Sequence, residues 1–169
     1  MRRTVSSREL AICGIITAIT VLLLFLASVA PTGRLALVAA ASFAVAVVVM
    51  AVSPRHAMMV YVAASVLGLV LIANKLVVVG FAAVLGNYPV VKLYIERIRN
   101  LPVEWCVKLV ICHIYFGLIL VLWRLFFASV VVLPFSWWML LLLFDAAFVV
   151  YDIAFSVLAG EIRRRLLRI

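Results

Sequence analysis

Asp145 and Asp152 stand seven residues apart in an otherwise apolar run, so on a helix both carboxylates project from one face, two turns from each other. Paired acids inside a membrane invite comparison with an aspartyl protease. That chemistry needs two carboxylates close enough to share a proton, and a separation of about 10 Å along one helix is too long. Cys112 and His113 are adjacent, but helix neighbours point about 100° apart, and with no second ligand pair at i+3 or i+4 they do not make a metal site. The chain has no Gly-x-Ser-x-Gly, no His-Glu-x-x-His, no Glu-Glu pair in a span and no Gly-rich phosphate loop. The expectation is a protein that is not an enzyme and carries no cofactor and no metal.

The two acids do establish that their helix has a face turned away from lipid, because an ionised carboxylate in hydrocarbon costs several kcal/mol unless it is paired or wet. Counting roughly 1.5 Å per residue places Asp152 near the level of Lys108, and Asp145 between the levels of His113 and Arg124. Two roles fit: buried pairs that hold the last two spans together, or a proton or ligand relay led by the deeper Asp145.

A second polar group falls at the opposite ends of the spans: Thr32, Gly33, Arg34, Asn74, Lys75, Arg124, Ser129 and Ser136, with Trp137 and Trp138. Arginine, lysine and tryptophan all favour the headgroup layer, so interfacial anchoring accounts for them. Arg34 and Lys75, however, follow directly on the breaks Pro31-Thr32-Gly33 and Ala73-Asn74, which would aim them over the mouth of a helix bundle. The candidate ligand-binding residues are therefore Arg34, Asn74, Lys75, Arg124 and Asp145, with a small anion as the matching ligand.

The elements that must position these residues are membrane spans. Of 169 residues, 70% are apolar and 12% charged, and a crossing of the roughly 30 Å hydrocarbon core takes about 20 apolar residues, which leaves room for about six. The interruptions place them at 10–29, 35–52, 57–73, 76–94, 103–127 and 137–159, an all-α six-helix bundle in a single transmembrane domain spanning 1–169. Gly86-Asn87-Tyr88-Pro89 lies in the second half of the fourth span, where proline removes a donor and predicts a kink or break. The first span is too long for a signal-peptide core and reads as a transmembrane helix. Three cysteines, Cys13, Cys106 and Cys112, fall in or at the ends of spans and imply no disulfide framework.

Arg2, Arg3, Arg8, Arg55, Lys92, Arg97, Arg99, Arg163, Arg164, Arg165 and Arg168 fall on one side of the spans, and Arg34, Lys75 and Arg124 on the other. By the positive-inside rule both termini are cytoplasmic, as an even number of crossings requires, and the membrane is the plasma membrane. The formal charge of +9 is then topological. Its partners are anionic lipid headgroups rather than nucleic acid.

On the first helix Ser7, Ala11, Gly14 and Ala18 recur at spacings of three and four, a narrow small-residue stripe of the kind that lets another helix approach closely. Six short helices with both ends inside, opened by Arg8-Glu9-Leu10-Ala11-Ile12-Cys13-Gly14-Ile15-Ile16-Thr17-Ala18, resemble the substrate-binding S components of energy-coupling-factor transporters. The resemblance implies that Ala11, Gly14 and Ala18, with Gly14 in place of an alanine, dock on a transmembrane coupling protein driven by two cytoplasmic ATPase subunits. It also implies a small-molecule ligand bound near the outer surface. An alternative of a different class is a non-transporting membrane scaffold similar to the MreD family of rod-shape proteins, or a lipid-handling accessory subunit.

Overall fold

The computed structural model describes residues 6–96, 100–127 and 137–166. The described residues are helical almost throughout, with no strand among them. The helices are α1 (Ser7–Val29), α2 (Arg34–Ala51), α3 (Pro54–Leu71), α4 (Lys75–Gly80), α5 (Tyr88–Ile95), α6 (Leu101–Phe127) and α7 (Trp137–Leu166), with a π-helical turn at Phe81–Leu85 between α4 and α5. Taking Lys75–Ile95 as one interrupted span, six helices are long and apolar enough to cross a membrane. This is a multi-pass membrane protein of the all-α class.

Local chemistry sets the helix ends. Ser6 and Glu9 form a capping box, with Ser6 N–H donating to Glu9 Oε2 at 3.0 Å and Glu9 N–H to Ser6 Oγ at 3.4 Å, so α1 starts ahead of its apolar run. Ser53 caps α3 by accepting from His56 N–H, with Pro54 at the first helical position where a missing donor is harmless. Gly33, at φ 74°, turns the chain between α1 and α2 in a left-handed conformation that a side chain would resist.

The chain divides into two compact units, Met1–Leu93 and Tyr94–Ile169. In the first, α1 packs on α2 and α3, and the fourth span packs on α3, α1 and α2. Its core is drawn from Leu24 and Ala27 of α1, Ala41, Val45 and Val48 of α2, Ala57 and Val60 of α3, and Ile72, Val78 and Phe81. Small and β-branched side chains dominate, which is how helices approach closely where lipid is as apolar as leucine.

The expected break in the fourth span is present, and it starts earlier than Pro89. Gly86 N–H donates to Phe81 O at 2.7 Å, five residues back, in place of Ala82 O. Ala82 O instead accepts the hydroxyl of Tyr61 from α3 at 2.7 Å. Leu85 O, whose helical donor would be the absent N–H of Pro89, accepts the hydroxyl of Ser42 from α2. In hydrocarbon no water can take these carbonyls, so the hydroxyls of two neighbouring helices make the break tolerable. Gly86 is required by the same contact: a Cβ there would sit 2.7 Å from the Tyr61 ring.

In the second unit α6 and α7 run antiparallel, because Lys108 meets Asp152, Cys112 meets Asp145 and Phe116 meets Phe144, each step forward on α6 matching a step back on α7.

Candidate functional site

The seam between α6 and α7 carries the ionisable side chains that the two spans hold in common. Glu104, Lys108 and Cys112 recur every four residues and so share one face of α6, opposite the Asp145 and Asp152 face of α7. Lys108 Nζ lies 2.8 Å from Glu104 Oε1 and 2.9 Å from Asp152 Oδ2, with side-chain exposures of 5% for Lys108 and 3% for Asp152. Its ammonium also lies 5.2 Å from the Trp105 ring centroid. One cation between two carboxylates at hydrogen-bonding distance is the geometry in which a buried charge can be held. Depth counting anticipated the Lys108–Asp152 level. It passed over Glu104, which the i, i+4 spacing to Lys108 could have revealed.

Asp145 lies farther along the seam. Its Oδ1 accepts the Cys112 thiol at 3.3 Å, and its Oδ2 is 4.0 Å from His113 Nε2. Cys112 is thus more than the small apolar residue it resembles in sequence: it is fully buried and donates to the carboxylate. No cluster of three or more histidine, cysteine or acidic side chains able to hold a metal occurs among the described residues.

The candidate ligand-binding residues group by topology. Because α1 to α4 alternate in direction, the α1–α2 and α3–α4 connectors lie at one end of the first unit, which brings Arg34, Asn74 and Lys75 to a common end. Arg34 and Lys75 do not stand away from the helices. Arg34 Nε donates at 2.8 Å to the carbonyl of Ala30, the residue that closes α1. Lys75 Nζ donates to Ile72 O at 2.8 Å and to Leu69 O, at the end of α3. Each cation opens one helix and binds back on the carbonyl end of the helix before it, where the partial charge is negative. Asn74 precedes α4, half-buried, without a side-chain capping bond. Arg124 is exposed near the end of α6, so it and Asp145 belong to the second unit. Ser129 and Ser136 lie outside the described residues, as do Arg2, Arg3, Arg97, Arg99 and Arg168. Lys92, counted among the cytoplasmic-end cations, is 2% exposed, with its ammonium 6.0 Å from the Tyr88 ring centroid.

The α1 stripe has a clear placement. Cys13, Thr20, Leu24 and Ala27 are the buried residues of α1, whereas Ser7, Ala11, Gly14 and Ala18 are exposed. At about 100° per residue the two sets lie roughly 140° apart around the helix. A Cβ added at Gly14 would meet nothing within 4 Å. No family model matches this chain, and neither a curated protein nor a solved structure matches it.

Proposed function

We propose that this chain is the substrate-binding membrane subunit of an uptake transporter of the energy-coupling-factor type. In this reading it captures a small anionic ligand at the outer face of the plasma membrane and performs no chemistry itself. Both termini lie in the cytoplasm, where the Arg163-Arg164-Arg165 end of α7 meets anionic headgroups. Energy comes from ATPase subunits through a transmembrane coupling protein, since the sequence holds no phosphate-binding loop of its own.

One observation carries this reading: the Ala11, Gly14 and Ala18 stripe is turned away from the buried face of α1 and is open at Gly14. A stripe used for packing within its own unit would lie on the Cys13, Thr20 and Leu24 face. Turned outward, it offers a second helix a close approach.

The test is association in the native membrane. Tagged wild-type protein, solubilised gently, should bring down a transmembrane coupling protein and ATPase subunits, and Ala18→Trp should lose them while its own thermal unfolding stays unchanged. Equal recovery with the wild type and Ala18→Trp would overturn the docking assignment. Orientation is checked separately in a background lacking the three native cysteines: Thr32→Cys should label from outside intact cells and Arg55→Cys should not.

A further inference from the structure

A different chemistry sits at His113, and it turns on which ring nitrogen carries hydrogen. Nδ1 of His113 lies 2.8 Å from the carbonyl oxygen of Leu109, one turn back on α6. A carbonyl oxygen only accepts, so Nδ1 is the donor. In the neutral ring the hydrogen is then on Nδ1, and Nε2 keeps its lone pair. The side-chain oxygen beside that lone pair is Oδ2 of Asp145, at 4.0 Å. The other carboxylate oxygen already accepts the Cys112 thiol. Two acceptors therefore face each other across the α6–α7 seam, and a single proton would turn their meeting into a hydrogen bond.

The charges on the two helices point the same way. Lys108 is engaged by Glu104 and Asp152, and among the described residues the partner brought to Asp145 besides the thiol is His113. Asp145 lies eight residues into α7, about 12 Å along the helix from Trp137, well inside the apolar span. A lone carboxylate at that depth costs several kcal/mol. The titratable groups that face it are Cys112 and His113 from α6, with Lys108 one turn beyond Cys112 and Asp152 two turns along α7.

We infer that Asp145 and His113 form a proton-binding site. One proton enters between His113 Nε2 and Asp145 Oδ2, and the pair goes from singly negative to neutral. The added proton bonds to Nε2, making an imidazolium that donates to the carboxylate, or to Oδ2, making a carboxyl that donates to Nε2. No other bond breaks. Closing from 4.0 Å to a charge-assisted bond of about 2.8 Å needs a shift of roughly 1 Å in the two side chains. The site is independent of the docking stripe on α1.

The chain has two histidines, so nitrogen-15 labelling of histidine in full-length His56→Gln protein in lipid nanodiscs leaves one ring to follow by NMR. The neutral form of His113 should be the Nδ1–H tautomer. Asp145→Asn should remove the Nε2–H signal of a proton shared between the ring and the carboxylate, and Asp145→Glu should restore part of it. If the proton resides on the carboxylate, the infrared band of a protonated carboxyl should instead disappear in Asp145→Asn. An Nε2–H tautomer in the wild type overturns the assignment without recourse to any Asp145 variant. A ring that titrates identically in wild type and Asp145→Asn, with no carboxyl band lost, overturns it as well.

Discussion

The Ser42 hydroxyl donates to the carbonyl of Leu85, the carbonyl that Pro89, four residues on, has no N–H to reach. A side chain on α2 thus supplies what the backbone of the fourth span lacks. Ser65 offers the contrast: its hydroxyl is also buried but has no hydrogen-bond partner among the described residues. Ser42→Ala strands a buried carbonyl and should lower stability by about 1 to 2 kcal/mol. Ser65→Ala removes an unsatisfied group and should leave stability unchanged or raise it. Thermal unfolding in one detergent ranks the two, and equal losses would remove the hydroxyl's role in holding the break.

Gly86 and Gly14 make a second matched pair. A Cβ at Gly86 would come within 2.7 Å of the Tyr61 ring and 2.8 Å of Phe81, whereas one at Gly14 meets nothing within 4 Å. Gly86→Ala should therefore cost about 1 to 3 kcal/mol through overpacking, displacing the ring whose hydroxyl holds Ala82 O. Gly14→Ala should be neutral or favourable by up to about 1 kcal/mol from helix propensity. The measurement is again the unfolding midpoint, and a destabilised Gly14→Ala would mean that the α1 stripe is already covered.

Lys108→Met takes the ammonium away from the buried Asp152 and the half-buried Glu104. Removing one partner of a buried pair costs about 3 to 5 kcal/mol, and replacing both partners by apolar residues costs much less. Lys108→Met combined with Asp152→Leu should thus be more stable than Lys108→Met alone. A double-mutant cycle on unfolding free energies checks this, and additive losses would show that the pair does not couple α6 to α7.

What was legible in the sequence follows how local each cause is. Span positions rest on runs of apolar residues and on Pro31, Pro54 and Pro89, so the six spans and the break were readable within a few residues. The π turn from Phe81 to Leu85 was not, because its carbonyls are held by Tyr61 and Ser42 on other helices. The Lys108–Asp152 level followed from counting residues along two helices, since rise per residue is fixed. The link from Cys112 to Asp145 depends on how the two helices are rotated about their axes, which hydropathy does not encode. Arg34 and Lys75 were legible as cations at one common end of the spans. Their return to Ala30 and Ile72 depends on turn geometry, including the left-handed Gly33.

The same two side chains admit two roles. As helix caps, Arg34 and Lys75 neutralise carbonyl ends, and such contacts are worth about 0.3 to 1 kcal/mol each. As ligand groups they would swing from Ala30 and Ile72 onto an anion, in charge-assisted bonds of about 1.5 to 3 kcal/mol. The two roles separate on the same variants. Small carboxylates and phosphates are screened for those that raise the unfolding temperature of the wild type, and the best is titrated calorimetrically. Arg34→Ala and Lys75→Ala should each weaken its binding about tenfold or more while lowering the unliganded protein's stability only slightly. Wild-type affinity in both variants, with the same small loss of stability, would leave the two cations as caps and remove the anion pocket.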